Sequence, residues 1–163
     1  MIYLSLYGRE VFWIIVIILL FIVGGSSGKK AAIIISLVII VLIPIGVIAK
    51  QVIERPRPII PANDFLIPAD SEFSFPSGHA LIVSAAAAVA LALFRDTTKK
   101  LILSLIFTLE AAFVCISRVY VGGHYPLDVI GGILLGVGVA FVFLWKEKEI
   151  YSGFQKIVSR IKR

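Results

Sequence analysis

The chain has 163 residues, of which 60% are hydrophobic and 16% charged, and its formal net charge is +6. Such an apolar composition exceeds that of average soluble domains, and several apolar runs approach the ~20 residues that a membrane-spanning helix needs. An ordinary soluble domain is therefore excluded, and the single cysteine, Cys115, excludes an internal disulfide. The basic residues lie at the ends of apolar runs, which fits membrane orientation, so we expect no nucleic-acid partner.

Five apolar runs predict an all-α, polytopic transmembrane helical bundle in which residues 1–163 form one domain, because lipid leaves backbone polar groups no partner outside the helix. We place the spans at about 10–26, 31–50, 79–94, 101–117 and 127–145. The tail, 146–163, has apolar residues at helical spacing among basic ones. This pattern predicts an amphipathic helix on the anionic inner leaflet of a cell membrane.

Five spans place the connections on two sides of the bilayer, and the basic residues are shared unequally between them. Eleven of the 16 lysines and arginines lie in the turns Gly24–Lys30 and Arg95–Lys100 and in the tail. The remaining five lie near the N-terminus, in residues 50–79, and in the turn 118–128. The positive-inside rule puts the larger group in the cytoplasm. The other side is thus predicted to be extracytoplasmic, and the C-terminus cytoplasmic.

The residues that can do chemistry are all predicted on the extracytoplasmic side. Three cations lie there at one depth, Lys50, Arg57 and Arg118, and they repel one another unless an anion lies between them. Arginine forks match phosphate oxygens in pairs. Ser77 and Gly78 add backbone N–H groups at a helix start, which also favours an anion. Together these residues indicate a phosphate-binding pocket.

The chain has two histidines, His79 and His124, and they begin different spans. On opposite sides of a phosphate, one can attack phosphorus while the other protonates the leaving oxygen. Asp128 lies four residues after His124, where its carboxylate can fix one imidazole nitrogen. A zinc site is the alternative use of these three side chains. The neighbouring cations oppose a metal ion, so we expect no metal.

Three linked motifs carry a family resemblance: KxxxxxxRP from Lys50, PSGH from Pro76 and SRxxxxxHxxxD from Ser117. In this order they resemble the three-part signature of the type 2 phosphatidic acid phosphatase (PAP2) superfamily, without substitution and over about half of the chain. The resemblance implies a PAP2-type helical core and a metal-independent, cofactor-free phosphatase with a phosphohistidine intermediate. It implies that His124 is the nucleophile, oriented by Asp128, and that His79 is the general acid and later helps to activate water. It implies that the phosphoryl oxygens are held by Lys50, Arg57, Ser77, Gly78 and Arg118.

Integral-membrane members of that family commonly have six spans, whereas five are predicted here. We expect this difference to leave the chemistry unchanged. It would alter the lateral groove for the lipid, or a neighbouring subunit would replace the span. The oligomeric state stays open.

A site at the membrane edge suits a lipid whose phosphate lies at the interface and whose tail stays in the bilayer. The segment Ile59–Phe75 is predicted to cover the headgroup or to enter the interface. Arg55 is a candidate contact for a second phosphate, with a solvated interfacial charge as the alternative. We therefore favour a polyprenyl pyrophosphate, such as undecaprenyl or dolichyl pyrophosphate, over phosphatidic acid or phosphatidylglycerol phosphate. The alternative of another class is a non-enzymatic lipid-phosphate binder or flippase, which needs the cations but not His124.

Two features inside the spans have no predicted part in the chemistry. Glu110 lies near mid-span, where an ionisable group is costly, and we expect it to be hydrogen-bonded to Ser84, Ser104 or Thr108 in a structural role. The Gly-x3-Gly pattern that begins at Gly132 permits close helix packing. That packing is predicted within the bundle, with a dimer face as the alternative.

Overall fold

The protein is described by a computed structural model over residues 1–59, 66 and 72–161. Seven α-helices form the described part of the chain. They are α1 (Ile2–Tyr7), α2 (Glu10–Val23), α3 (Gly25–Ile53), α4 (Gly78–Leu93), α5 (Thr98–Tyr120), α6 (Pro126–Trp145) and α7 (Glu147–Ile161). Most of the segment predicted to cover the headgroup, Ile59–Phe75, lies outside the described residues.

Three of the helices, α3, α5 and α6, are long and apolar enough to cross a membrane. The helices α2 and α4 are apolar but have only 14 and 16 residues. A 16-residue helix rises about 24 Å, less than the ~30 Å of a typical hydrocarbon core. The all-helical membrane class is confirmed, and two of the five predicted spans are shorter than a full crossing.

The connection between α2 and α3 differs from its prediction. The small residues of 24–30 predict a turn, but only Gly24 separates the two helices. Gly25 has φ +60°, a left-handed backbone conformation that glycine adopts without strain. A Cβ on Gly28 would lie 2.5 Å from the carbonyl oxygen of Leu20, so the helices meet too closely for a larger residue. These glycines therefore form a tight helical corner, and hydropathy alone does not distinguish a corner from a loop.

The central helix is α4, which packs against α3, α5 and α6. Its alanine-rich segment, Ala85–Ala88, presents small side chains that let these neighbours approach closely. Gly132 and Gly136 of α6 face it: a Cβ on Gly136 would lie 2.2 Å from the carbonyl oxygen of Leu81. The Gly-x3-Gly pattern thus packs α6 against α4 within the bundle.

The first turns of α4 and α6 are joined through the backbone. The N–H of Ser77, the residue before α4, donates to the carbonyl oxygen of Asp128 in the first turn of α6 at 3.0 Å. Helices α4 and α6, which are far apart in the sequence, therefore begin side by side. The candidate site residues lie at this end of the bundle.

The two terminal helices pack at different places. Helix α1 contacts α5, where Arg118 Nη1 donates to Ser5 Oγ at 2.5 Å. Helix α7, which occupies most of the predicted amphipathic tail, contacts α3. There Lys30 Nζ donates to Glu147 Oε1 at 2.7 Å.

The mid-span acid has surroundings that differ from the predicted ones. The hydroxyls of Ser84, Ser104 and Thr108 donate to backbone carbonyl groups. Glu110 faces the junction of α1 and α2, since a Cβ on Gly8 would lie 3.2 Å from Glu110 Oε1. The carboxyl group thus lies against the N-terminal helices.

Candidate active site

Four helix ends bring the predicted site residues together at one end of the bundle. Lys50 comes from the last turn of α3, and Arg118 from the last turn of α5. The start of α4 supplies Ser77, Gly78 and His79. The turn before α6 and its first helical turn supply His124 and Asp128, and Arg57 follows α3.

A serine hydroxyl lies between the nucleophile candidate and its carboxylate. The distance from His124 Nδ1 to Asp128 Oδ2 is 3.7 Å, too long for a hydrogen bond. Ser74 Oγ donates to Asp128 Oδ2 at 2.5 Å and lies 3.4 Å from His124 Nδ1. All three side chains are buried. The predicted histidine–aspartate pair is therefore a buried His–Ser–Asp cluster.

Arg55 has a different position from the one predicted for a second-phosphate contact. Its Nη1 donates to Asp128 Oδ1 at 2.9 Å, and its guanidinium lies over the Tyr125 ring, 4.4 Å from the centroid. Asp128 Oδ2 also accepts a hydrogen bond from the backbone N–H of Tyr125 at 2.9 Å. Both carboxylate oxygens are thus paired, as a fully buried carboxylate requires. Arg55 therefore lies against the buried carboxylate of Asp128, and its contact with a second phosphate stays a prediction.

Arg57 lies on the opposite edge of the His124 imidazole from Ser74. Its Nη1 is 3.4 Å from His124 Nε2 and donates to the carbonyl oxygen of Gly123 at 2.7 Å. Its Nε donates to the carbonyl oxygen of Glu72 at 2.7 Å. Nε2 therefore points toward the cations, while Nδ1 points toward Ser74.

Lys50 holds the segment before α4 against the site. Its Nζ donates to the carbonyl oxygen of Phe73 at 2.6 Å and lies 3.2 Å from Glu72 Oε2. Only 8% of the residue is exposed. The ammonium group is thus largely removed from water, which strengthens its interaction with any anion that enters.

Arg118 is almost completely buried, with 2% exposed. Besides its hydrogen bond to Ser5, its carbonyl oxygen accepts from the backbone N–H of His124 at 3.2 Å. A Cβ on Gly123 would lie 2.9 Å from Arg118 Nη2, and Gly122 has φ +73°. Glycine at these two positions lets the turn fold back over the guanidinium. The turn therefore places the imidazole and the Arg118 side chain in one cluster.

Burial and the neighbouring cations act together on His124, which lies in the turn outside the helices. Burial, followed by the charges of Arg57, Arg118 and Lys50, lowers the pKa of His124 to about 3. The imidazole is therefore neutral at physiological pH. A neutral imidazole has the lone pair that attack on phosphorus requires.

A cavity of about 550 Å³ opens beside these residues, between α2, α3 and α4. Its polar end contains Arg9, Glu10, Lys50, Glu72 and Gly78. The rest is lined mainly by aliphatic side chains, among them Ile14, Ile17, Ile39, Ile43 and Val47. An apolar cavity with a few convergent polar groups at one end is typical of a ligand site.

Sequence motifs alone do not identify three of the residues found here. Ser74 and Ser5 are short polar residues outside the signature, and Arg9 lies in the N-terminal segment. Ser74 has one detectable signal, its position three residues before Ser77 in a segment expected to cover the headgroup or to enter the interface. Ser5 and Arg9 carry no comparable signal, because their positions depend on how α1 packs.

Metal ligation requires several donor side chains in one place. Among the described residues, no group of three or more His, Cys, Asp and Glu side chains is arranged to hold a metal ion. The Asp128 oxygens already accept hydrogen bonds from Ser74, Tyr125 and Arg55.

These features define a polytopic α-helical membrane protein with a buried His–Ser–Asp cluster next to several cations. The sequence profile of the PAP2 superfamily matches residues 30–151. The chain belongs to this superfamily.

Relatives and solved structures extend the comparison. The chain is 40% identical over 144 residues to undecaprenyl-diphosphatase of Sulfolobus acidocaldarius, a match that covers 87% of this chain and 66% of the relative. It is 35% identical over 103 residues to human sphingosine-1-phosphate phosphatase 2, covering 56% of this chain and 24% of the relative. The chain thus spans less than two thirds of the length of these relatives.

A solved structure has the same fold over nearly the whole chain. It is the transmembrane PAP2-type phosphatidylglycerolphosphate phosphatase from Bacillus subtilis, with a TM-score of 0.67 at 27% identity. The superposition covers 95% of this chain and 74% of the other.

Proposed function

We propose that this protein is a metal-independent, cofactor-free lipid phosphatase that hydrolyses a polyprenyl pyrophosphate, such as undecaprenyl or dolichyl pyrophosphate, to the monophosphate. The observation that carries this proposal is the environment of His124. Ser74 and Asp128 lie on its Nδ1 side, and Arg57 lies 3.4 Å from Nε2. Membership of the PAP2 superfamily and the similarity to an undecaprenyl-diphosphatase support the reaction and the substrate class.

The first step forms a phosphohistidine. His124 Nε2 attacks the terminal phosphorus, and the bond from that phosphorus to the bridging oxygen breaks. The electron pair stays on the bridging oxygen, which His79 protonates. The charge on the transferred phosphoryl group is stabilised by its hydrogen bonds to the site, made by Lys50, Arg57, Arg118 and the backbone N–H groups of Ser77 and Gly78.

The second step returns the enzyme to its starting state. Water attacks the phosphohistidine while His79 takes one of its protons, the nitrogen–phosphorus bond breaks, and inorganic phosphate leaves. During both steps the Nδ1–H of His124 donates toward Ser74 Oγ, and the Ser74 hydroxyl donates to Asp128. The carboxylate thereby stabilises the positive imidazolium through the serine.

The shape of the cavity supports a lipid substrate. Its polar end, which contains Arg9 and Lys50, lies at the site, and its aliphatic part runs between α2 and α3, so the tail of a bound lipid would follow these helices. Phosphatidic acid or phosphatidylglycerol phosphate is the second candidate, because the phosphatidylglycerolphosphate phosphatase structure superposes on 95% of this chain. A binder or flippase would use the same pocket without needing the imidazole.

We further infer that the site faces the extracytoplasmic side and that the C-terminus is cytoplasmic. Eleven of the 16 basic residues lie at the opposite end of the bundle from the site or in the tail, which the positive-inside rule places in the cytoplasm. A cysteine substituted for exposed Ser152, in a Cys115→Ala background, should react with an impermeant reagent only after cells are permeabilised. Reaction in intact cells would invert the orientation.

The function is tested with purified protein and a polyprenyl pyrophosphate in detergent. We expect phosphate release that persists in EDTA, is blocked by vanadate, and is abolished in His124→Ala. His79→Ala should lose about a hundredfold to ten-thousandfold, as expected for a general acid. Full activity of His124→Ala would contradict the mechanism, and loss of activity in EDTA would restore the metal alternative. Phosphatidic acid in a parallel assay distinguishes the two substrate classes.

A further inference from the structure

Arg9 lies beside the start of α4 although none of the three motifs contains it. It precedes α2 and lines the same cavity as Lys50 and Gly78. A Cβ on Gly78 would lie only 3.3 Å from Arg9 Nη1. Arg9 is also among the cations whose charge acts on the His79 imidazole. It is therefore a further cation next to the general acid.

The guanidinium of Arg9 keeps donor capacity for a ligand. One terminal nitrogen forms an ion pair with the neighbouring, exposed Glu10. The Nε atom is buried, and among the described residues it has no hydrogen-bond partner. Buried donors in native proteins are nearly always paired, so this group points to a partner that arrives with the substrate.

The position of Arg9 corresponds to the leaving-group side of the reaction. In the proposed mechanism His124 attacks phosphorus from one side and the leaving oxygen lies on the other, next to His79. The leaving group of a diphosphate is a lipid-linked phosphate, which is anionic. The leaving group of a monophosphate is a neutral alcohol. A cation on the His79 side therefore distinguishes the two substrate classes, whereas Arg55 is paired with Asp128 on the His124 side.

We propose that Arg9 binds the lipid-linked phosphate of a diphosphate substrate and sets a preference for diphosphates over monophosphates. This inference rests on the proposed function of the same site. When the bond between the bridging oxygen and the terminal phosphorus breaks, its electron pair remains with the lipid monophosphate. Arg9 then offsets the negative charge of that product while His79 protonates its oxygen. The aliphatic part of the cavity begins beside Arg9, so the tail of the product can leave along it.

The test compares two substrates with the same tail, farnesyl diphosphate and farnesyl monophosphate, with wild-type protein and Arg9→Gln. A hydrogen bond to a charged group is worth about tenfold to a hundredfold, so kcat/KM for the diphosphate should fall by that factor. The monophosphate value should fall much less, because its leaving group is a neutral alcohol. An equal loss for both substrates, or no loss for the diphosphate, would overturn the proposal.

Glu10→Gln is the matched control, because it removes the ion pair and keeps Arg9. It should retain the diphosphate preference. If it reproduces the selective loss seen in Arg9→Gln, Arg9 acts only through its pair with Glu10, and the proposal is wrong. Arg9→Lys, which keeps the charge without the planar fork, should recover part of the preference.

A binding measurement tests the role of Arg9 independently of turnover. Inorganic pyrophosphate and phosphate are added separately, and the rise in unfolding temperature of wild type and Arg9→Gln is followed. The variant should lose protection by pyrophosphate selectively, and equal protection of both proteins by pyrophosphate would count against Arg9. If the wild type turns over neither substrate yet shows the selective effect, the proposed reaction fails while the Arg9 contact stands.

Discussion

At the residue scale, the hydroxyl of Ser74 determines how Asp128 can act on His124. Without it, the 3.7 Å gap between Nδ1 and Oδ2 leaves the imidazole with no hydrogen bond from the carboxylate side. The buried carboxylate would still be fixed by Arg55 and by the Tyr125 backbone. Ser74 is therefore a positioning residue, distinct from the carboxylate itself.

We predict that Ser74→Ala lowers kcat by about tenfold to a hundredfold, since the lost hydrogen bond stabilises the imidazolium. KM should change little, because Ser74 does not contact the cations that bind phosphate. Steady-state kinetics on a lipid pyrophosphate measures both. The control is Ser84→Ala, another buried serine whose hydroxyl donates to the Leu81 carbonyl in the α4 helix. An unchanged kcat in Ser74→Ala would show that His124 needs no bridge.

Burial and the neighbouring cations predict an unusually low pKa for His124. Because burial and three cations lower its pKa to about 3, the protonated form is absent above about pH 5. In a His79→Asn variant the remaining imidazole should show constant nitrogen chemical shifts from pH 5 to 8 in NMR of phosphate-free protein. Lys50→Met removes one cation and should move the midpoint upward. A midpoint near the ordinary histidine value in the His79→Asn protein would refute the proposed cation field.

The candidate catalytic positions are predicted from the sequence, while their contacts are not. Both histidines, Asp128, Lys50, Arg57 and Arg118 lie in the three motifs. The partner of Arg55 is not encoded in its neighbourhood, because charge alone does not tell whether an arginine meets a substrate or a protein carboxylate. That choice depends on how the chain after α3 passes the first turn of α6.

At the element scale, the contact of α4 with α6 positions the two halves of the site. Gly136 faces the α4 backbone, whereas a Cβ on Gly138 would meet nothing within 4 Å. We predict that Gly136→Ala lowers the free energy of unfolding by about 1–3 kcal/mol through overpacking and lowers activity by shifting His124 from His79. Thermal unfolding in detergent and phosphate release measure the two effects.

Gly138→Ala is the control for that substitution, in the same helix. It should be neutral or slightly stabilising, because alanine favours the helical state over glycine. If the two variants behave alike, the separation of α4 and α6 is not set by this glycine contact.

The apolar pattern predicts where helices lie but not how they are joined. The five apolar runs correspond to α2 through α6, with helix ends that differ by a few residues. Small residues occur both in loops and where helices pack closely, so the pattern predicts a seven-residue turn where the structure has a corner at Gly24. The two cases can be told apart only when the helix that contacts the small residues is known, and a local sequence pattern does not contain that information.

At the scale of the whole molecule, the cavity beside the site continues along the bundle. A second cavity, of about 970 Å³, is lined by α2, α3 and α7, and it shares Ile17 and Ser36 with the first. Lys50 lines the first cavity and Ala32 the second. Between these two residues α3 rises ~27 Å, which gives the length of the groove that the two cavities form together. One leaflet provides about half of a ~30 Å core. The combined groove is therefore longer than a lipid tail confined to one leaflet needs.

We predict that Ser36→Phe, which fills the junction of the two cavities, selectively impairs long substrates. The kcat/KM for undecaprenyl pyrophosphate should fall, while that for farnesyl diphosphate should be kept, because the short tail does not reach Ser36. The control is Leu134→Phe on the exposed side of α6. Equal effects on the two tails would show that the lower part of the groove binds only bulk lipid.

The hydrogen bond from the Ser77 N–H to the Asp128 carbonyl oxygen is made entirely by main-chain atoms. Side-chain replacements at these positions remove chemistry without removing the link between α4 and α6. Inactive proteins such as His124→Ala should consequently keep the two walls of the site in register, because the main-chain link is unchanged. They would serve as traps that hold an uncleaved lipid, so that the substrate extracted with the protein from its own membrane can be identified by mass spectrometry.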